Sequence, residues 1–262
     1  MARPTYTTRA IVIKKTKLGE SDLILTLLAQ DGAQLRVIAK GARKPQSPFA
    51  SRLELFAVSD LLCSKGKNLD IVCEARLVEG NESLRKSIEH TTAASPLAEL
   101  LVRATQSDLE NPQLFACTNT ALSVMNESTT QSALNICAAS LLKSFAFLGL
   151  RPSLNACALC NVSYTFENKD LFVHKTPTLS FSFLDGGLVC KSCECGAEYV
   201  SLPLHTLADM RFYMGNTFSS IADSPIEVAR TMSVLKVCQQ WSQEHVGAKI
   251  KSLEFLFTSG LF

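Results

Sequence analysis

The 262-residue sequence contains no run approaching the roughly 18 consecutive apolar residues that a membrane-spanning helix needs. Its start, MARPTYTTRAIVIKK, offers only a four-residue apolar stretch hemmed in by charges, which is too short for the core of a secretory signal. These two absences lead us to expect a soluble, cytoplasmic protein with no membrane partner. The sequence also lacks a Gly-x-x-x-x-Gly-Lys-Ser/Thr phosphate loop, a Gly-x-Ser-x-Gly elbow and a His-Glu-x-x-His helix. Lys40-Gly41-Ala42-Arg43-Lys44 is only superficially like a phosphate loop, having too few glycines and no helical pattern after it. No catalytic residue is therefore assigned. Aromatic residues are scarce where they would matter for stacking: the first 80 residues hold only Tyr6, Phe49 and Phe56. There is no internal repeat and no low-complexity segment.

Cysteine is plentiful, but it is clustered. Five of the ten fall between 157 and 195, whereas Cys63, Cys73, Cys117, Cys137 and Cys238 sit among apolar neighbours, where a reduced thiol behaves as a small hydrophobe. Cys157-Ala-Leu-Cys160 and Cys190-Lys-Ser-Cys193 are two Cys-x-x-Cys pairs 29 residues apart, the arrangement that gives one tetrahedral ion four thiolates. We expect one structural zinc on Cys157, Cys160, Cys190 and Cys193, with Cys195 a possible substitute for Cys193. A four-thiolate site has no open coordination position, so this zinc would not activate water. The competing readings are a thiol-disulfide pair at Cys190/Cys193 and incidental buried thiols. His174, alone in the same segment, reads as a surface residue.

Charge is distributed unevenly. Residues 1–52 carry ten Lys or Arg against three acids, a net of +7, while the whole chain is +2 and the remaining 210 residues are therefore −5. A basic head on an acidic body suits a polyanion, for which nucleic acid is the commonest candidate. The plain alternative is a solvated charged face. Arg9, Lys14, Lys15, Arg36, Lys40, Arg43, Lys44 and Arg52 are the candidate phosphate contacts.

Residues 7–79 read as short β-type runs: 7–16, 21–30, 33–40, 53–63 and 69–79, with Asp31-Gly32 as a tight hairpin turn. In the third run Arg36 and Lys40 share one parity, which points both out of the sheet. Five strands in about 75 residues suit a small closed barrel, and the five-stranded OB-fold is the common nucleic-acid platform of that size. Beyond residue 80 the hydrophobic period changes to about 3.6. Helices are expected at 82–105, broken or restarted at Ser95-Pro96, and at 111–126, 129–150, 202–218 and 224–246, the last capped by Ser224-Pro225-x-Glu227. A short apolar tail follows at 247–257. The expected class is α+β and multidomain: an OB-fold β-barrel over 1–80, then a helical bundle over 81–262 interrupted by a zinc insert at 153–200.

Thr8-Arg9-Ala10 to Lys15, Leu18-Gly19-Glu20-Ser21-Asp22, Lys40-Gly41-Ala42-Arg43-Lys44 and Leu53-Glu54 together resemble the amino-terminal domain of the bacterial recombination mediator family RecO. Leu148-Gly149-Leu150-Arg151-Pro152, the cysteine pairs with Gly186-Gly187, and Lys251-Ser252-Leu253 resemble the same family in the same order. Asn161, where that family often has glycine, and the extra Cys195 depart from it. The resemblance implies a non-enzymatic DNA-repair protein, cytoplasmic and nucleoid-associated. It implies binding to single- and double-stranded DNA, strand annealing, contact with RecR and single-stranded-DNA-binding protein, and help in loading RecA onto gaps. A zinc-stabilised interaction scaffold is the reading from another class.

Overall fold

The computed structural model of the chain describes residues 3–164, 178–194 and 198–262. Strands β1 (Thr5–Leu18), β2 (Asp22–Ala29), β3 (Gln34–Ala39), β4 (Val58–Ser64) and β5 (Asp70–Glu79) close into a barrel in the order β1-β2-β3-β5-β4. β1 is long enough to pair with β2 through its second half and with β4 through its first, which seals the barrel. All pairings are antiparallel except β3 with β5. This is the OB-fold expected from the strand count. The interior is filled by alternate residues such as Val12, Leu25, Leu27, Val37, Leu61 and Val72.

β1 serves two cores by alternation, with Ala10 and Val12 facing the barrel interior ahead of a bulge between Val12 and Lys14. Ile11 and Ile13 turn outward and join Leu28, Phe56 and Val58 in the hydrophobic core of the helices. The β2–β3 turn falls at Asp31-Gly32 as read from sequence. Gly32 has φ +84°, and a side chain there would place a Cβ 2.0 Å from the Asn111 carbonyl oxygen, so only glycine lets the hairpin dock. The fourth strand begins later than 53. Phe56 adopts φ +68°, which breaks the extended run, and residues before it fold back so that Leu53 and Phe49 plug the barrel.

Among the described residues eight helices follow: α1 (Ser83–Lys86), α2 (Ile88–Ala104), α3 (Pro112–Glu127), α4 (Thr130–Phe147), α5 (Leu204–Gly215), α6 (Phe218–Ala222), α7 (Val228–His245) and α8 (Lys251–Thr258). α4 is the axis of the bundle, with residues buried on nearly every side and α2, α3, α5, α6 and α7 packed around it. The expected break at Ser95-Pro96 is absent. Pro96 lies inside α2, and the restart is eight residues earlier, where the Ser87 hydroxyl accepts the His90 N–H at 3.2 Å. Nor does Ser224 cap α7: its hydroxyl donates to the Ile221 carbonyl, and the helix starts after Glu227. The 202–218 helix is divided at Asn216-Thr217, where Thr217 caps α6. Between α4 and α5 lies a small sheet, β7-β6-β8, made of β6 (Thr178–Ser182), β7 (Gly187–Leu188) and β8 (Val200–Pro203).

The apolar tail forms α8, whose N-terminus is capped from α2. The Glu99 carboxylate accepts the backbone N–H groups of Lys251 and Ser252 at 3.0 and 2.8 Å and pairs with Arg103 at 3.0 Å. Burial alone would raise the Glu99 pKa, but these donors outweigh it and lower the value. A depressed carboxyl contributes stability above its unfolded pKa and loses it as pH falls through the folded one. Glu99→Ala should therefore cost about 1–2 kcal/mol at pH 7 in urea unfolding, with the difference from the parent shrinking as pH drops below about 4.5.

Candidate metal centre and nucleic-acid interface

Each cysteine pair sits on a tight turn. In the first, the Asn161 N–H returns to the Cys157 carbonyl at 2.9 Å and the Cys157 N–H donates to Val162 at 2.9 Å, with Asn161 at φ +62°. Asparagine tolerates that left-handed conformation, as glycine does, which explains why it can stand there. In the second, the Cys193 N–H donates to the Cys190 carbonyl at 2.8 Å. The Cys190 N–H points at the Cys157 sulfur, 3.4 Å away, and joins the two turns.

The four Sγ atoms of Cys157, Cys160, Cys190 and Cys193 all lie within 4.8 Å of one another. Cys160 and Cys190 are 3.6 Å apart. Tetrahedral Zn–S bonds of about 2.3 Å require S–S edges of about 3.8 Å, so these residues fit such an ion. Burial would raise the Cys157 thiol, yet N–H donors from Cys160, Cys190 and Leu159 hold it down to about 6. Hydrogen bonding to Cys190 and Cys160 pushes Cys193 up to about 12. Four thiolates this close repel, and a shared cation removes the conflict. Cys195 and His174 lie outside the described residues.

The centre is fastened to the bundle. Gly187 has φ +151°, and a Cβ there would lie 2.3 Å from the Ser153 carbonyl oxygen. That close approach permits Ser153 N–H to Gly186 and Leu188 N–H to Ser153, both 2.9 Å, which hold the strand leading into the second pair against the strand leading into the first. The Trp241 indole of α7 donates to Leu150 at 2.9 Å and packs against Phe181 and Phe183. Arg211 of α5 donates its Nε to Leu154 at 2.8 Å, so this guanidinium serves the insert rather than an open surface.

The basic candidates divide into groups. Arg9 forms a forked pair with Asp60, at 2.7 and 3.2 Å, and Asp60 also holds Arg76 at 2.7 Å. Between two guanidiniums, the Asp60 carboxyl is brought down to about 2. Lys15 pairs with Glu54 at 2.7 Å. Arg43 and Arg52 are exposed but donate to the carbonyls of Gly19 and Ala75. Lys14, Arg36, Lys40 and Lys44 are exposed, and among the described residues they make no ion pair. Lys14 and Arg36 flank Thr26 on one face, because Lys14 pairs with Thr26 and Thr26 with Arg36 across β1, β2 and β3. The loop bearing Lys40, Arg43 and Lys44 is clasped to the β1–β2 turn: Gly41 N–H donates to Asp22 at 2.7 Å and Arg43 N–H to Ser21 at 2.9 Å. Arg76, beyond the charge-rich head, escaped the sequence count, and Phe49 and Phe56 are buried and cannot stack bases.

Residues 1–81 match the family described as recombination protein O N terminal, and residues 85–254 match recombination protein O C terminal. The chain belongs to the RecO family. A DNA repair protein RecO from Roseiflexus sp. (strain RS-1) is 33% identical over 204 residues, 78% of this chain and 67% of that protein. The DNA repair protein RecO of Thermoanaerobacter sp. (strain X514) is 25% identical over 251 residues, 95% of this chain and 96% of the other. The RecO-like motifs read from the sequence now have structural roles. Asp22 and Gly41 make the loop clasp, Gly187 the close approach beside the cysteine cluster, and Lys251-Ser252 the helix start held by Glu99. No described helix is long and apolar enough to cross a membrane.

Proposed function

We propose that this chain is a recombination mediator that catalyses no reaction of its own. It binds single- and double-stranded DNA on the barrel, anneals complementary strands, and works with RecR and single-stranded-DNA-binding protein to help RecA load onto coated gaps. Its setting is the cytoplasm, on the nucleoid, and one structural zinc on Cys157, Cys160, Cys190 and Cys193 stabilises the insert. The carrying observation is the set of exposed cations Lys14, Arg36, Lys40 and Lys44 on the barrel and its loop, which form no ion pair among the described residues. Such charges release counterions from a phosphate backbone and give binding that is steeply salt-dependent and weakly sequence-dependent.

The test is annealing of complementary strands coated with the cognate single-strand-binding protein. The chain should accelerate annealing at least about tenfold over the coated strands alone, an effect of about 1.4 kcal/mol on the barrier. No acceleration at any protein concentration sinks the reading. The scaffold reading has one observation in its favour, a groove of about 680 Å³ between α3, α4 and α5–α6 that is lined by Cys117, Phe147, Met214 and Phe218 beside Lys143 and Arg151. Removing the barrel is a poor way to separate the two, because Ile11, Ile13, Leu28, Phe56 and Val58 complete the helical core. Surface substitutions on the barrel are the clean discriminator.

A further inference from the structure

The residue facing the basic loop across the β2–β3 pair is an acid. Leu23 of β2 pairs with Ala39 of β3, so the next step of the same register sets Asp22 opposite Lys40. By charge alone Asp22 would answer Lys40 and repel an anion beside it. The structure uses it otherwise. Its Oδ1 accepts the Gly41 N–H at 2.7 Å and the Ser21 hydroxyl at 2.9 Å, and among the described residues it forms no ion pair with Lys40 or Lys44. The Gly41 N–H, and after it the Ser21 hydroxyl, hold the Asp22 carboxyl below its ordinary range, and Lys40 and Lys44 add to the effect from beyond ion-pair distance.

The bond to Gly41 fixes the loop. Gly41 turns at φ +67°, and its carbonyl accepts the Lys44 N–H at 3.1 Å, so a turn spans 41–44 with Lys40 at its root and Lys44 at its end. The other fastenings run from Arg43 to the backbone of the β1–β2 turn: its N–H donates to the Ser21 carbonyl at 2.9 Å and its Nη1 to the Gly19 carbonyl at 3.0 Å. Among the described residues, Asp22 is the one side chain outside the loop that accepts a hydrogen bond from it. We propose that Asp22 is a positioning residue for DNA, an acid that strengthens phosphate binding because it holds the turn carrying Lys40 and Lys44 in place before the strand arrives. The inference rests on the DNA-binding reading above. Its repulsion of phosphate is screened by salt at an exposed surface, whereas the hydrogen bond to Gly41 is short-ranged and is kept. A loop fixed beforehand spares the backbone share of the ordering cost that binding would otherwise carry.

The test measures binding of a single-stranded oligothymidine across a salt series by the parent, Asp22→Ala, Asp22→Asn and Glu20→Ala, with thermal melting to check each fold. Glu20 is the control: an exposed acid two residues away that makes no side-chain hydrogen bond among the described residues. Asp22→Ala removes a negative charge yet should weaken binding about tenfold, the loss expected when one charge-assisted hydrogen bond no longer orders the loop. Its salt slope should fall by up to about 1.4, two contacts' worth. Asparagine keeps the acceptor oxygen, so Asp22→Asn should stay within about twofold of the parent, and Glu20→Ala should bind at least as well as the parent. In a Lys40→Ala, Lys44→Ala background the alanine at 22 should cost nothing further. Unchanged or tighter binding by Asp22→Ala overturns the proposal, as does a tenfold loss that persists in that background or appears equally in Asp22→Asn. Should the alanine variant fail to fold, hydrogen exchange in the parent decides: the Gly41 amide should be protected before DNA is added, and exchange at the rate of an open loop overturns the clasp. A parent chain with no salt slope fails the DNA-binding reading and the proposal with it, whereas each failure of the clasp alone is seen in a parent that binds.

Discussion

Cys157→Ser is expected to abolish metal binding and to lower the melting temperature by about 10 °C, which at 2–4 °C per kcal/mol for a chain of this size corresponds to roughly 3–5 kcal/mol. The parent, purified under reducing conditions, should carry one zinc per chain by metal analysis. The size of the effect follows from position. Cys157 is the buried member of the four, and its sulfur accepts the N–H that joins the two turns. Without it, three remaining thiols cannot close the site, and the energy that metal binding lends to folding is lost. The loss should spread through Gly187 and Ser153 to the Phe181, Phe183 and Trp241 packing, so tryptophan fluorescence should report it. DNA affinity should change little in protein that remains folded. If the variant kept its melting temperature but lost DNA binding, the metal would belong to the binding surface.

The parts of this molecule that the sequence made legible are those governed by local rules. The five strands announced themselves as short β-type runs between turn residues, the hairpin by Asp31-Gly32, and the cysteine cluster by repeated spacing that needs no tertiary knowledge. What escaped prediction depends on partners distant in the chain. Pro96 looks like a helix start, yet burial of Thr92, Ala93, Ala94, Leu97 and Ala98 keeps α2 continuous through it, because packing outweighs one missing hydrogen bond. The β6–β8 sheet was invisible because its strands are short and are held by pairing across the insert rather than by their own pattern. At the barrel, counting charges found the basic head but could not tell an answered cation from a free one. Arg9 meets Asp60 across 51 residues, and Lys15 meets Glu54 across 39. Only the register shows that Lys14 and Arg36 stand either side of Thr26.

That division of the cations yields the second large effect, on salt dependence. Replacing Lys14, Arg36, Lys40 and Lys44 together with alanine should lower the slope of log affinity against log salt for single-stranded DNA by about 2.8, at about 0.7 per phosphate contact. At about 0.1 M salt this corresponds to a several-hundred-fold loss of affinity on the same relation. Arg9→Ala with Lys15→Ala removes the same kind of charge from the same strand, yet should change the slope far less, because Asp60 and Glu54 already answer those cations. With its carboxyl near 2, Asp60 stays ionised across the neutral range and keeps Arg9 and Arg76 engaged. Asp60→Asn tests the same logic in the opposite direction. It deletes the one carboxylate between two guanidiniums, so the slope should steepen by up to about 1.4 as Arg9 and Arg76 become available to phosphate. Equal losses from the free and the paired sets would mean that ion pairing at the barrel surface is too weak to withhold a cation from DNA, and the four-residue contact set would have to be widened to the whole basic head.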